Sequence, residues 1–160
     1  MRRIMLLLAV FTLTLLVASG VALAVTKIGT DGPDFLIGTK GSDELFGKAG
    51  TDWISGRGGD DVINGGPGSD DPLSRAVGML DGGPGADVIS GGPGQDYLDA
   101  GSWPRDSAVD TLNGGDGNDF LHAENRPAAR DIVSCGAGSR DGAVVDRKDI
   151  VADDCERIWR

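Results

Sequence analysis

The chain has little of what an ordinary globular core is built from. Aromatic residues make up 5% of its 160 positions. So few large side chains exclude a thick hydrophobic core, and stability must come from backbone hydrogen bonds, thin aliphatic packing and bound ions. Basic residues number 15 against 25 acidic ones and do not cluster, which excludes the phosphate-neutralising stripe of a nucleic-acid binder. The one histidine, His122, reads as a solvent-facing strand residue. Neither Ser102, Ser107 nor any other serine has the partner pattern of a nucleophile, so no catalytic centre is indicated. Trp53, Trp103 and Trp159 are scattered and form no stripe. Cysteine is limited to Cys135 and Cys155. An even count in an exported chain suggests one disulfide, here closing the C-terminal end.

Glycine is what the chain has in excess. Its 27 glycines and 7 prolines are about a fifth of all residues, where about 12% is usual. The excess is periodic, which argues against low-complexity disorder. An aspartate recurs every nine residues at Asp34, Asp43, Asp52, Asp61 and Asp70, resumes at Asp87 and Asp96, and repeats at Asp110 and Asp119. Glycines stand two residues before the first seven: Gly32, Gly41, Gly50, Gly59, Gly68, Gly85 and Gly94. Aliphatic residues stand two after most of them: Leu36, Leu45, Ile54, Ile63, Ile89, Leu98, Leu112 and Leu121. The unit is G-G-x-G-x-D-x-U-x, with U a large aliphatic. A fixed short period of this kind decides the architecture before any local reading does.

The physics of one unit is simple. Its first six residues are too rich in glycine and proline for a strand or helix and form a turn. Its last three, such as Val62-Ile63-Asn64, suit a short strand whose central aliphatic points inward. Two units then make one coil, and units i and i+2 stack as parallel strands about 4.8 Å apart. About ten units predict about five coils, a core about 24 Å long on that spacing. Interruptions fall at Asp71 to Gly78 and around Ser102-Trp103-Pro104-Arg105.

Stacking sets Asp34 beside Asp52, Asp43 beside Asp61, and Asp52 beside Asp70. Like charges at such range need a cation. Carboxylates and free turn carbonyls, with no histidine or cysteine near, form a hard-ligand set. It selects calcium over zinc or copper, and over magnesium, which demands stricter geometry. A solenoid whose aspartates only cap their own turns is the plainer alternative. It explains one aspartate per turn, but not a whole row of them.

The N-terminus reads as a secretory signal. Arg2 and Arg3 precede an apolar run from Ile4 to Val17, and Ala22-Leu23-Ala24 is a small-x-small cleavage site. Cleavage after Ala24 predicts a secreted, extracellular protein without a membrane span; an uncleaved anchor over Ile4 to Val25 is the competing reading. The expected organisation is a signal peptide over 1–24, a repeat stack over 25–134 with insertions near 71–78 and 102–106, and a capping segment over 135–160.

The repeated turns Gly65-Gly66-Pro67-Gly68-Ser69-Asp70, Gly82-Gly83-Pro84-Gly85-Ala86-Asp87, Gly91-Gly92-Pro93-Gly94-Gln95-Asp96 and Gly114-Gly115-Asp116-Gly117-Asn118-Asp119 carry a resemblance. From about Ile28 to Val133 the chain resembles the RTX, or haemolysin-type, calcium-binding repeats. The resemblance implies an all-β fold, a parallel β-roll holding several calcium ions between its turns. The implied ligands are the position-six carboxylates of Asp34, Asp43, Asp52, Asp61, Asp70, Asp87, Asp96, Asp110 and Asp119. Turn carbonyls join them, here at Gly41, Gly50, Gly59, Gly66, Gly68, Gly83, Gly85, Gly92, Gly94, Gly115 and Gly117. Asp31 and Asp116, at position three, are candidate extra oxygens. Thr30, Thr39 and Lys48 depart from the pattern by replacing the second glycine, and Asp110 lacks its glycine turn. The reading is a secreted, non-enzymatic protein that folds on binding calcium. The alternative is a calcium-stabilised module that adheres to a cell-surface polysaccharide or protein through the two insertions.

Overall fold

The computed structural model describes residues 23–71, 78–101 and 106–160. The apolar N-terminal run, residues 72–77 of the first insertion and Trp103 lie outside the described residues. Their elements in chain order are β1 (Thr26–Ile28), β2 (Phe35–Ile37), β3 (Glu44–Phe46), β4 (Trp53–Ser55), β5 (Val62–Asn64), β6 (Met79–Asp81), β7 (Val88–Gly94), β8 (Tyr97–Asp99), β9 (Thr111–Gly117), β10 (Phe120–His122), β11 (Ile132–Ala137), β12 (Gly142–Val144), β13 (Ile150–Val151) and β14 (Arg157–Trp159). Most repeats give one three-residue strand, because only three of nine positions lack turn-forming residues, but β7, β9 and β11 run on through their glycine turns, where the stacked turns pair as strands against the expectation from sequence.

Odd-numbered strands form one sheet of seven and even-numbered strands the other, each strand neighbouring the one two places along the chain. All pairings are parallel and keep the repeat in register: Leu45 lies beside Ile63, Ile54 beside Leu80 and Ile89 beside Leu112. The result is a β-solenoid of two repeats per coil. It is longer than the five coils expected, because β12, β13 and β14 extend both sheets past Val133. The segment from Cys135 therefore continues the stack as well as closing it.

Strand alternation fixes what faces inward. Leu45, Ile54, Ile63, Leu80, Ile89, Leu98, Leu112, Leu121 and Val133 fill the interior at 0–1% exposure. Burial of each such side chain stabilises by about 1.5–3 kcal/mol. Two residues before each of them except Leu80, where the insertion leaves Gly78, the same alternation turns the position-six aspartate inward. The turns stack as closely as the strands. Gly92 has a φ of 109°, and a Cβ there would lie 2.7 Å from the Gly66 carbonyl oxygen one coil below. No other residue fits that combination of left-handed backbone and contact.

On the even-numbered sheet two of the tryptophans meet other aromatic residues. Trp53 stacks on Phe35 with ring centroids 4.2 Å apart, Phe120 stacks on Tyr97 at 5.5 Å, and Trp159 tilts onto Phe120 at 5.9 Å. Trp53 and Trp159 thus sit in two separate aromatic groups, with Met79 beside Trp53 in the register between them. His122 is half-buried rather than fully solvated, with Nδ1 3.5 Å from Asp99 Oδ2, a hydrogen bond that raises its pKa.

Cys135 and Cys155 form a disulfide with S–S 1.99 Å. Beside it Asp154 accepts hydrogen bonds from Ser134 Oγ at 2.7 Å and from the N–H groups of Cys135 and Gly136 at 3.0 and 3.1 Å. The carboxylate thus supplies acceptors where the odd-numbered sheet has no further turn to pair with. The bridge spans 20 residues. Reduction is expected to lower stability by about 3 kcal/mol on the chain-entropy estimate. Thermal melts with and without reductant read this out, and an unchanged midpoint refutes it.

Candidate metal centre

The inward aspartates form two continuous ladders, one along each turn edge. In the first, the backbone N–H of Asp34 donates to Asp52 Oδ1, Asp52 to Asp70, Asp70 to Asp96, Asp96 to Asp119 and Asp119 to Asp141, at 2.6–2.9 Å. In the second, Asp43 donates to Asp61, Asp61 to Asp87, Asp87 to Asp110, Asp110 to Asp131 and Asp131 to Asp149, at 2.7–3.0 Å. Glu156 ends the first ladder by accepting the Asp141 N–H at 2.7 Å. Each aspartate after Asp34 thus spends one carboxylate oxygen on the coil before it, Asp43 taking the Val25 N–H at 2.7 Å.

The second oxygen is another matter. Oδ2 of Asp52, Asp61, Asp70, Asp87, Asp96, Asp110, Asp119 and Asp141 is buried with no hydrogen-bond partner. An unpaired buried carboxylate is among the most costly groups a fold can hold. Among the described residues the ion pairs are His122–Asp99 and Arg126–Glu124, and neither includes a ladder residue. Burial is the largest cause of the resulting pKa shifts. It pushes Asp61, Asp70 and Asp119 up to about 6, Asp96 and Asp110 up to about 7, and Asp87 up to about 8. The hydrogen bond from the neighbouring N–H pulls back, and the next carboxylate in the row pushes further up.

The position-one glycines show where these oxygens point. A Cβ on Gly91 would lie 2.5 Å from Asp96 Oδ2 and 2.5 Å from the Gly114 carbonyl oxygen of the next coil. Carboxylate and carbonyl oxygens converge there on space that only a missing side chain leaves open. All the donors are oxygen, and a partnerless carboxylate in such a cradle fits a hard cation. A model of the RTX calcium-binding nonapeptide repeat matches the chain in four copies, at residues 28–58, 37–71, 79–102 and 106–125. The chain belongs to the RTX calcium-binding repeat family. Neither the curated proteins nor the solved structures yield a match.

The RTX motif marks fewer ladder positions than the fold uses. Asp131, Asp141 and Glu156 continue the rows at separations of 21, 22 and 15 residues, which a nine-residue count does not reach, and Asp149 follows at the regular 18 only once Asp131 is in the row. Asp110 keeps its rung despite its missing glycine turn, because Asp106 fills the gap. The Gly85 N–H donates to Asp106 Oδ2 at 3.1 Å, where Gly59 donates to the Pro84 carbonyl at 3.0 Å and Gly68 to that of Pro93 at 2.8 Å. Asp31 and Asp116 sit exposed on the rim of their turns.

Proposed function

We propose that the protein is a secreted calcium-binding β-roll that folds as it takes up several Ca²⁺ ions. The observation that carries this reading is the set of partnerless Oδ2 atoms ranked along two buried rows. When bound, the ion supplies positive charge and acceptor-seeking coordination. Asp52, Asp61, Asp70, Asp87, Asp96, Asp110, Asp119 and Asp141 would hold it with turn carbonyls at Gly66, Gly83, Gly92 and Gly115. The backbone of each turn holds its carbonyls in place, and the ladder hydrogen bonds hold each carboxylate in orientation. An ion linking turn i to turn i+2 turns binding energy into folding energy. Modules working outside cells bind calcium at about 10⁻⁴–10⁻³ M. Support for export comes from Arg2-Arg3, the apolar run behind them and Ala22-Leu23-Ala24.

Native mass spectrometry in millimolar calcium is expected to show several ions per chain, and far fewer in equimolar magnesium. A chain that retains no calcium, or retains both metals equally, overturns the proposal. The adhesion alternative rests on the two insertions, of which residues 72–77 and 102–105 lie outside the described residues. No helix among the described residues is long and apolar enough to cross a membrane.

A further inference from the structure

The eight partnerless Oδ2 atoms do not include those of Asp34, Asp43, Asp131 and Asp149. In each of these the chain supplies a donor. Asp34 Oδ2 accepts the Thr30 N–H at 2.6 Å and the Thr30 hydroxyl at 3.0 Å. Asp43 Oδ2 accepts the Thr39 N–H, and Thr39 Oγ1 lies 3.2 Å from Asp43 Oδ1. Asp131 Oδ2 accepts Nδ2 of Asn125 at 3.1 Å, and Asn125 is itself 2% exposed. Its Oδ1 is fixed by the Ala129 N–H at 2.7 Å. Asp149 Oδ2 accepts the Asp146 N–H at 2.6 Å.

The threonine turns have a backbone of their own. Position two of the other turns is left-handed: φ is 76° at Lys48, 79° at Arg57, 96° at Gly66, 92° at Gly83, 109° at Gly92 and 111° at Gly115. Thr30 and Thr39 are not among the positive-φ residues, and neither are Gly32 and Gly41 at position four. A β-branched residue resists the left-handed region, so threonine selects the other turn. Its hydroxyl then accepts the N–H two residues on, from Gly32 at 3.3 Å and from Gly41 at 3.0 Å. One substitution at position two therefore swaps both the turn and the partner of the carboxylate.

We propose that Thr30, Thr39 and Asn125 mark the limits of metal loading, standing at Asp34, Asp43 and Asp131 where an ion stands at the interior rungs. The inference rests on the calcium reading above. A donor hydrogen aimed at the carboxylate oxygen occupies the spot the cation would take and repels it. Both ladders are sealed by protein where they begin and the second also where it ends, whereas Asp141, at the far end of the first, keeps a partnerless Oδ2 open to an ion.

The test is the ion count of single variants by native mass spectrometry in calcium. Asp43→Asn and Asp131→Asn are expected to keep the wild-type number of ions, and Asp96→Asn to lose at least one. The two end variants probe opposite ends of the roll, so one that fails to fold leaves the other to report. Loss of an ion from either end variant overturns the proposal and leaves the calcium reading standing. An Asp96→Asn count equal to wild type overturns both.

Discussion

Removing calcium is expected to abolish the strand signal of the protein in circular dichroism, and returning millimolar calcium to restore it. The interior of the roll is too thin to hold the aspartate rows together on its own. One aliphatic side chain per repeat faces eight buried carboxylate oxygens that no donor satisfies. A site filled at ten times its dissociation constant stabilises the folded chain by about 1.4 kcal/mol. A handful of such sites reaches the size of a whole domain's stability, about 5–15 kcal/mol. Chelator should therefore move the chain across its folding threshold rather than soften it. A strand signal and melting temperature indifferent to chelator would falsify the calcium-linked fold.

Acidification is expected to have opposite effects with and without calcium. Free carboxylates in unfolded chains titrate near 3.9. Burial, before any cation is counted, raises Asp87 to about 8, Asp96 and Asp110 to about 7, and Asp61, Asp70, Asp119 and Asp131 to about 6. Between those limits the folded chain binds more protons than the unfolded one, so its stability falls as pH rises. The favourable contribution is fully present below about 3.9 and is lost as pH climbs through 6 to 8. In chelator, lowering the pH from neutral toward about 4.5 should thus increase strand content, as protons replace the missing cation. In calcium the ion needs the ionised carboxylate, and the same acidification should release it and lower the melting temperature. Melts along a pH series in both buffers decide the matter. Parallel trends would mean that the ladder carboxylates do not hold the ion.

Much of this was legible in the residues because the period is short and the pairing local in unit number. Once two repeats close a coil, Asp34 must meet Asp52 and Leu45 must meet Ile63, and both meetings occur. What escaped lies where spacing and spatial register part company. Asp141 and Asp149 follow turns of altered length, so only the stacked backbone reveals them as rungs. Asn125 belongs to no motif position and gains meaning only from the carboxylate it touches. Asp106 is hidden in an insertion and is recognisable only by the Gly85 N–H it receives. Thr30 and Thr39 were visible as departures from glycine, but the hydrogen bonds they make depend on the handedness of the turn.

Each rung gives its N–H to the carboxylate of the coil that follows it, so the roll has a direction. The first coil gives, and its own carboxylates draw on donors close by, Thr30 for Asp34 and Val25 and Thr39 for Asp43. The last coil must receive, and Asp149, Asp154 and Glu156 do so beside the Cys135–Cys155 bridge. Shortening the chain from its beginning removes a coil and exposes a carboxylate that solvent readily satisfies. Shortening it from the end strands a row of N–H groups at the mouth of a narrow core. The two ends are therefore unequal partners, and the terminus that is synthesised last is the one on which the whole row depends for its final acceptors.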